Sequence, residues 1–188
     1  MDSAAAAAQA SPAATTVAGA EAIVTTASAC GLEIREYPEL LKNDPVYAGK
    51  AQRIASALMD ISQFLSQSVD SSGMTLSKPL PQISFHAPCT LQHGLKQAGT
   101  VEGLLQKLGF SVRTPADAHL CCGSAGTYSI LQPDMALQLR DKKLEKLDAA
   151  GADVVATANI GCMMHLQSGT GTEVRHWIEI LDASLERA

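Results

Sequence analysis

The stretch VVATANIGC, residues 154–162, joins a β-branched run to a polar turn and a cysteine, and IVTTASACG, residues 23–31, repeats that pattern. In both stretches an acidic residue precedes the apolar run, and a Thr-Ala step and a small polar residue follow it. Each run predicts a short strand, and each cysteine lies where that strand gives way to a helical pattern. The repetition therefore predicts two related strand-turn-Cys-helix units.

Strands and helices alternate outward from these two stretches. Strands are predicted at 21–27, 83–86, 110–113 and 153–158, and helices at 33–42, 46–69, 89–97, 101–107, 133–150 and around Trp177. This alternation favours an α/β fold with a mostly parallel sheet and flanking helices. Because such sheets keep their ligand sites at the carboxyl ends of the strands, Cys30 and Cys162 both occupy candidate site positions. The nearby helix N-termini favour thiolate there.

Composition indicates a globular protein that does not bind nucleic acid. The 188 residues are 46% apolar but only 4% aromatic, so the core has to consist mainly of aliphatic side chains. The formal net charge of −5 is the opposite of a basic nucleic-acid footprint. We expect a cytoplasmic protein, because no apolar run approaches the ~18 residues of a membrane span and no secretory signal is visible. The Ala-rich segment 1–20 predicts a disordered leader.

Four of the five cysteines lie where three loops could bring them together. Cys89 and Cys162 each follow a predicted strand, and Cys121 and Cys122 lie in a glycine-containing loop. An odd number of cysteines without an export signal argues against a disulfide framework. An all-sulfur ligand set would select zinc or iron–sulfur chemistry, and the backbone amides of residues 122–126 could help hold a negatively charged centre.

Two alternatives to a metal site follow from the same cysteines. Free cysteines are often buried packing residues. A thiol enzyme is the other alternative, but the Cys-x5-Arg pattern of cysteine phosphatases is absent after Cys30 and Cys162. The sequence also lacks the Cys-x-x-Cys pattern of thiol–disulfide exchange proteins.

Three motifs resemble the cysteine-rich CCG domain family: HAPC at 86–89, HLCCGSAGTY at 119–128 and ANIGC at 158–162. The family's pattern is a cysteine, a long gap, Cys-Cys-Gly, a similar gap and Cys-x-x-Cys. Here the first gap is residues 90–120, which is 31 residues, and the second is residues 124–161, which is 38 residues. Within the family, the resemblance is greatest to glycolate oxidase iron–sulfur subunits, and it extends over residues 21–186.

This resemblance implies electron transfer rather than catalysis on this chain. Such subunits take electrons from a flavin-containing partner subunit that oxidises glycolate to glyoxylate, and they pass the electrons towards a membrane acceptor. An iron–sulfur cluster, most simply [4Fe–4S], is the implied cofactor, with peripheral association at the inner face of the membrane through the complex. Because other relatives hold zinc, the alternative is a zinc-bound or metal-free docking module of an oxidoreductase complex.

The sequence departs from the family pattern at both of its repeats. His165 stands where the second cysteine of the final Cys-x-x-Cys would be, and histidine can ligate iron or zinc. Cys30 resembles the last cysteine of a first repeat whose other cysteines are absent, and no ferredoxin-like cysteine run is present. The metal ligands expected from the resemblance are therefore Cys89, Cys121, Cys122, Cys162, Cys30 and His165.

The expected organisation has three parts: the leader at 1–20, a remnant of a first cysteine-rich repeat at 21–80, and a CCG domain at 81–188. The chain would then match only the C-terminal portion, roughly half, of such a subunit. We expect His86, His93 and His119 to serve as structural hydrogen-bonding residues beside the cysteines. The charged run at 140–148 predicts a solvated helix face.

Overall fold

The computed structural model describes residues 20–71 and 73–186, so the predicted leader lies outside the described residues apart from Ala20. The strands are β1 (Ile23–Thr25), β2 (Leu58–Asp60), β3 (Gln82–His86), β4 (Ser111–Arg113), β5 (Val154–Thr157) and β6 (Val174–His176). The α-helices are α1 (Ser28–Leu40), α2 (Ala48–Ala57), α3 (Ile61–Ser68), α4 (Thr100–Lys107), α5 (Tyr128–Leu131), α6 (Pro133–Asp148), α7 (Ile160–Gln167) and α8 (Trp177–Ala183). A 3-10 turn covers Val69–Ser71, and a π-helical turn covers Thr90–Gly94.

Four strands form a parallel sheet in the order β4-β3-β5-β6, which confirms the predicted α/β class with flanking helices. The central strands β3 and β5 are buried along nearly their whole length, as expected for parallel strands covered on both faces. Large buried side chains of the core against this sheet include Ile83, Phe85, Leu105 and Trp177. In the described ranges, none of the helices has the length and apolar character needed to cross a membrane.

A second, two-stranded parallel sheet repeats the arrangement of β5 and β6. β1 pairs with β2 in parallel, and each of the two sheets has a strand that leads through a turn into a cysteine-bearing helix. Cys30 is the third residue of α1, and Cys162 is the third residue of α7. The second strand of each pair, β2 or β6, runs directly into α3 or α8. The two predicted units are thus strand-helix-strand-helix units, and the first also carries α2.

The prediction of one helix at 46–69 is wrong, because β2 interrupts it between α2 and α3. The spacing of Ile54, Leu58 and Ile61 fits a helix face, but Leu58 has extended backbone angles (ψ 130°) and pairs with Ile23 of β1. Asp60 then begins a new helix, because its carboxylate accepts the backbone N–H of Ser62. Pairing with a distant strand therefore outweighs the local periodicity.

Two other elements differ from the sequence prediction. Strand β6 was missed, because it has only three residues and is defined by its pairing with β5. The helix predicted at 89–97 is reduced to the π-helical turn, in which the N–H of Leu95 donates to the carbonyl of Thr90. Lys96 follows with a φ of 58°, which ends the helical path. Cys89 therefore begins a single wide turn.

Ser28 links the two sheets where β1 and β5 end. Its backbone N–H and its hydroxyl both lie 3.4 Å from the carbonyl oxygen of Ala158, just beyond β5. The same hydroxyl lies 2.7 Å from the hydroxyl of Thr90 in the π-helical turn. Because Ser28 is completely buried, these bonds have no competition from water.

We predict that Ser28→Ala lowers the free energy of unfolding by about 1–2 kcal/mol, because the variant loses buried hydrogen bonds between the two sheets. Ser66→Ala is the control, since the Ser66 hydroxyl bonds only to the Ser62 carbonyl within α3, and its effect should stay within about 0.5 kcal/mol. Urea unfolding followed by circular dichroism measures both changes. Equal effects of the two substitutions would contradict a linking role for Ser28.

Candidate metal centre

Three segments bring four cysteines to one edge of the four-stranded sheet. Strands β3 and β5 pair in parallel with His86 opposite Thr157, so their carboxyl ends lie side by side. Cys89 follows β3 by three residues, and Cys162 lies in the first turn of α7 after β5. The segment between β4 and α5 supplies Cys121 and Cys122. The predicted convergence of Cys89, Cys121, Cys122 and Cys162 is therefore present in the structure.

The four cysteines line one cavity of about 470 Å³. The rest of its wall consists of small or polar residues, Ala29, Thr90, Ser124, Ala125, Gly126, Asn159 and Gly161, together with Ile160. The four cysteines thus border one common space at the edge of the sheet.

The four thiols change one another's pKa values because they lie around one cavity. The pKa of Cys121 is lowered to about 2, chiefly by hydrogen bonding with the thiols of Cys122 and Cys89. The pKa of Cys162 is lowered to about 5, first by hydrogen bonding with Cys122 and also by His86. Hydrogen bonding with Cys121, together with burial, raises the pKa values of Cys89 and Cys122. A metal takes deprotonated sulfur as its ligand, so metal binding would release the protons that these thiols still carry.

The loop at residues 121–126 fixes the position of its two cysteines through Gly123. Gly123 has a φ of 90°, and its N–H donates to the sulfur of Cys121 at 3.3 Å. A Cβ atom on this residue would overlap with the backbone oxygen of Ala136 in α6. Gly123 therefore allows both the left-handed turn and the close contact with α6. This contact holds Cys122, which is 1% exposed, against the core.

His86 is a site residue that sequence analysis assigned only a structural role. Its ring is 1% exposed, and a ring nitrogen lies within 4.8 Å of the sulfurs of both Cys122 and Cys162. Within the described part of the chain, neither ring nitrogen has a hydrogen-bond partner. A sequence signal was available, since His86 ends a buried strand three residues before Cys89.

Lys143 is a second residue whose role the sequence did not reveal. The charged run at 140–148 predicted solvent exposure, but Lys143 is 3% exposed, so that interpretation is wrong for this residue. Its ammonium group donates to the carbonyl oxygens of Asp117 at 2.8 Å and Ala118 at 3.4 Å. Burial lowers the pKa of Lys143, whereas the charges of Cys122, Cys89 and Cys121 oppose that shift. A buried cation therefore lies near three of the four sulfurs.

Comparison with known proteins identifies the family to which this arrangement belongs. The family described as CCG, a cysteine-rich domain, matches residues 83–167, which include all four clustered cysteines. The chain is also 32% identical over 174 residues to "Lactate utilization protein A" of Bacillus cereus, with 87% of this chain and 71% of that protein covered. The chain belongs to the cysteine-rich CCG family.

The relatives of this chain carry two different names. The chain is 47% identical over 171 residues to "Glycolate oxidase iron-sulfur subunit" of Escherichia coli, with 90% of this chain and 41% of that protein covered. The "Lactate utilization protein A" of an Exiguobacterium species is 28% identical over 183 residues, at 91% and 72% coverage. The chain thus spans about two fifths of the glycolate oxidase subunit and about seven tenths of the lactate utilization proteins.

Two of the expected CCG ligands do not reach the cavity. Cys30 is exposed on α1, and the neighbouring Ala29 lines the cavity in its place. The Nε2 atom of His165 lies 3.2 Å from the carbonyl oxygen of Ala136 and bonds to it. In the described ranges, the potential ligand atoms of His86, Cys122 and Cys162 lie within 4.8 Å of one another, and Cys89 and Cys121 line the same cavity as these two cysteines, whereas Cys30 and His165 belong to neither set. The ligand roles expected for Cys30 and His165 therefore have no geometric support.

We predict that Gly123→Ala destabilises the metal-free chain by more than about 3 kcal/mol, because left-handed strain adds to overlap with the backbone of Ala136. Gly126→Ala is the matched control, since Gly126 also has a positive φ (58°) but open space around its Cα, and it should cost about 1–2 kcal/mol. Urea unfolding of both variants provides the measurement. Similar losses would show that steric contact with α6 is unimportant.

Proposed function

We propose that this chain binds an iron–sulfur cluster of the [4Fe–4S] type and relays electrons within an oxidoreductase complex. The proposed ligands are Cys89, Cys121, Cys122 and Cys162. The observation that carries the proposal is the convergence of these four thiols on one cavity. The names of the relatives, an iron–sulfur subunit and a lactate utilization protein, support the same assignment.

The residues around the cavity fit a negatively charged, sulfur-ligated group. The lowered pKa values of Cys121 and Cys162 favour thiolate, and all four sulfurs would bind the metal in their deprotonated form. The N–H of Gly123 points at the sulfur of Cys121, and the cation of Lys143 offsets part of the negative charge. An iron–sulfur cluster bound there would accept and donate single electrons. The chain's own contribution is to bind the cluster, limit its contact with water and set its charge environment.

The proposed electron source is a flavin-containing partner subunit that oxidises glycolate to glyoxylate. The identity of 47% to a glycolate oxidase subunit supports glycolate as the substrate of that partner. Lactate is the second candidate, because the lactate utilization relatives match over a larger share of their length. Both compounds are 2-hydroxy carboxylates, so the same electron relay serves either oxidation.

Exposed apolar side chains on the helices that adjoin the cavity-lining segments suit docking of this partner. Ile160 lines the cavity and is 55% exposed, and Met164 follows one turn later on α7. The loop through Gly126 continues into α5, where Ile130 and Leu131 are also exposed. Exposed apolar side chains of this kind are typical of interaction surfaces. We place the flavin subunit against α5 and α7, within a cytoplasmic complex that associates peripherally with the membrane.

We predict that the chain purified without oxygen, together with its flavin subunit, contains iron and inorganic sulfide, and that Cys121→Ser and Cys122→Ser each lose most of both. Cys30→Ser is the matched control and should keep its full content, because Cys30 is exposed outside the cavity. Iron, sulfide and zinc analysis provides the measurement. A colourless chain with stoichiometric zinc would favour a structural docking module, and full iron in both CCG variants would refute the proposed ligand set.

We predict that Lys143→Met lowers the reduction potential of the bound cluster, because loss of a nearby positive charge disfavours the more negative, reduced state. A shift on the order of 60 mV corresponds to a tenfold change for a one-electron couple. Lys142→Met is the control, because the neighbouring Lys142 is exposed and its charge is screened by solvent. Anaerobic redox titration measures both potentials. Equal shifts in the two variants would argue against a special role for Lys143.

A further inference from the structure

His86 combines deep burial with two unsatisfied nitrogens beside two candidate ligands. Its ring lies at the end of the central strand β3, in register with Thr157 of β5. A buried polar group without a hydrogen-bond partner is unfavourable. Among the described residues, His86 is the histidine with both ring nitrogens buried and unpaired. A metal bound between His86, Cys122 and Cys162 would satisfy one of these nitrogens.

We propose that His86 is a nitrogen ligand of the metal centre, so that the centre has mixed sulfur and nitrogen ligation. The proposal stands on geometry, because the imidazole and the sulfurs of Cys122 and Cys162 each offer one ligand atom and these atoms lie within 4.8 Å of one another. Imidazole is a good ligand for both iron and zinc. This inference rests on the proposed metal centre and names a ligand that the cysteine pattern does not include; in a [4Fe–4S] cluster, which takes four protein ligands, His86 would replace one of the four cysteines.

The other histidines are placed differently. His93 and His119 are exposed, and His165 bonds to the carbonyl of Ala136. The Nδ1 atom of His176 accepts the backbone N–H of Ile178 and caps α8. His165 is thus engaged elsewhere, although it follows Cys162 by three residues on α7, whereas His86 approaches Cys122 and Cys162 from the end of β3.

Pulsed electron paramagnetic resonance of the reduced cluster tests this ligand directly. The protein would be loaded with iron and sulfide under anaerobic conditions, with its histidines labelled with ¹⁵N. We expect a strong nitrogen hyperfine coupling in the unmodified chain, loss of that coupling in His86→Cys, and retention of the cluster because the new thiolate can ligate iron. His165→Gln is the matched control and should keep the coupling. A cluster without nitrogen coupling in the unmodified chain, or coupling that persists in His86→Cys, would overturn the assignment.

A second variant keeps the test decisive if substitutions at His86 prevent folding. This variant retains His86 and replaces the other four histidines, with His93, His119 and His165 changed to Gln and His176 changed to Asn to preserve the helix cap. The coupling should remain, and its loss would overturn the assignment. If zinc is the bound metal, X-ray absorption at the zinc edge should show imidazole scattering that disappears in His86→Cys, and its absence in the unmodified chain would likewise refute the ligand.

The outcomes separate this inference from the proposed function. If the chain assembles a cluster without nitrogen ligation, the ligand role of His86 is refuted and the proposed electron relay is unaffected. If the chain takes up neither iron nor zinc, both proposals are refuted.

Discussion

The parallel pairing of β3 with β5 is the constraint on which the site depends. With His86 opposite Thr157, both strands end at the same level, and the segments that follow them carry Cys89 and Cys162 to one edge of the sheet. A shift of one residue in this register would move the side chains of one strand to the opposite face of the sheet. The near-complete burial of β3 and β5 fixes the register, because any shift would disturb core side chains such as Phe85 and Ala156.

Burying the polar groups around the cavity lowers the stability of the fold unless a ligand binds between them. Cys122 and His86 are almost completely buried, and Lys143 holds a cation beside sulfurs that favour negative charge. A packing role explains a buried thiol, but it does not explain an imidazole with two unpaired nitrogens. A metal centre would take ligand atoms from both groups, and the negative charge of its thiolates would favour the cation of Lys143, which donates to the carbonyl oxygens of Asp117 and Ala118.

The sequence predicted what depends on local pattern and missed what depends on pairing and burial. The cysteines after β3 and β5 were predictable, because strand runs followed by turns place side chains at a sheet edge. Strands β2 and β6 were not predictable, because each has only three residues and is defined by its pairing with another strand, β1 or β5. Lys143 and His86 were missed for a related reason. The charged run predicts a solvated helix face, but in the structure its Lys143 is buried and donates to the carbonyl oxygens of Asp117 and Ala118.

The comparison of Cys30 with Cys162 shows what a cysteine at a strand end requires to become part of a site. Both are the third residue of a helix that follows a parallel strand, so their local backbone settings are similar. Cys162 is partly buried because the loop at 121–126 and the end of β3 close around it, whereas Cys30 is exposed on α1. Position near a helix N-terminus is therefore common to both cysteines and does not distinguish them. The difference arises from the neighbouring segments, because Cys162 shares its cavity with the Cys-Cys-Gly loop and lies within 4.8 Å of the ring of His86.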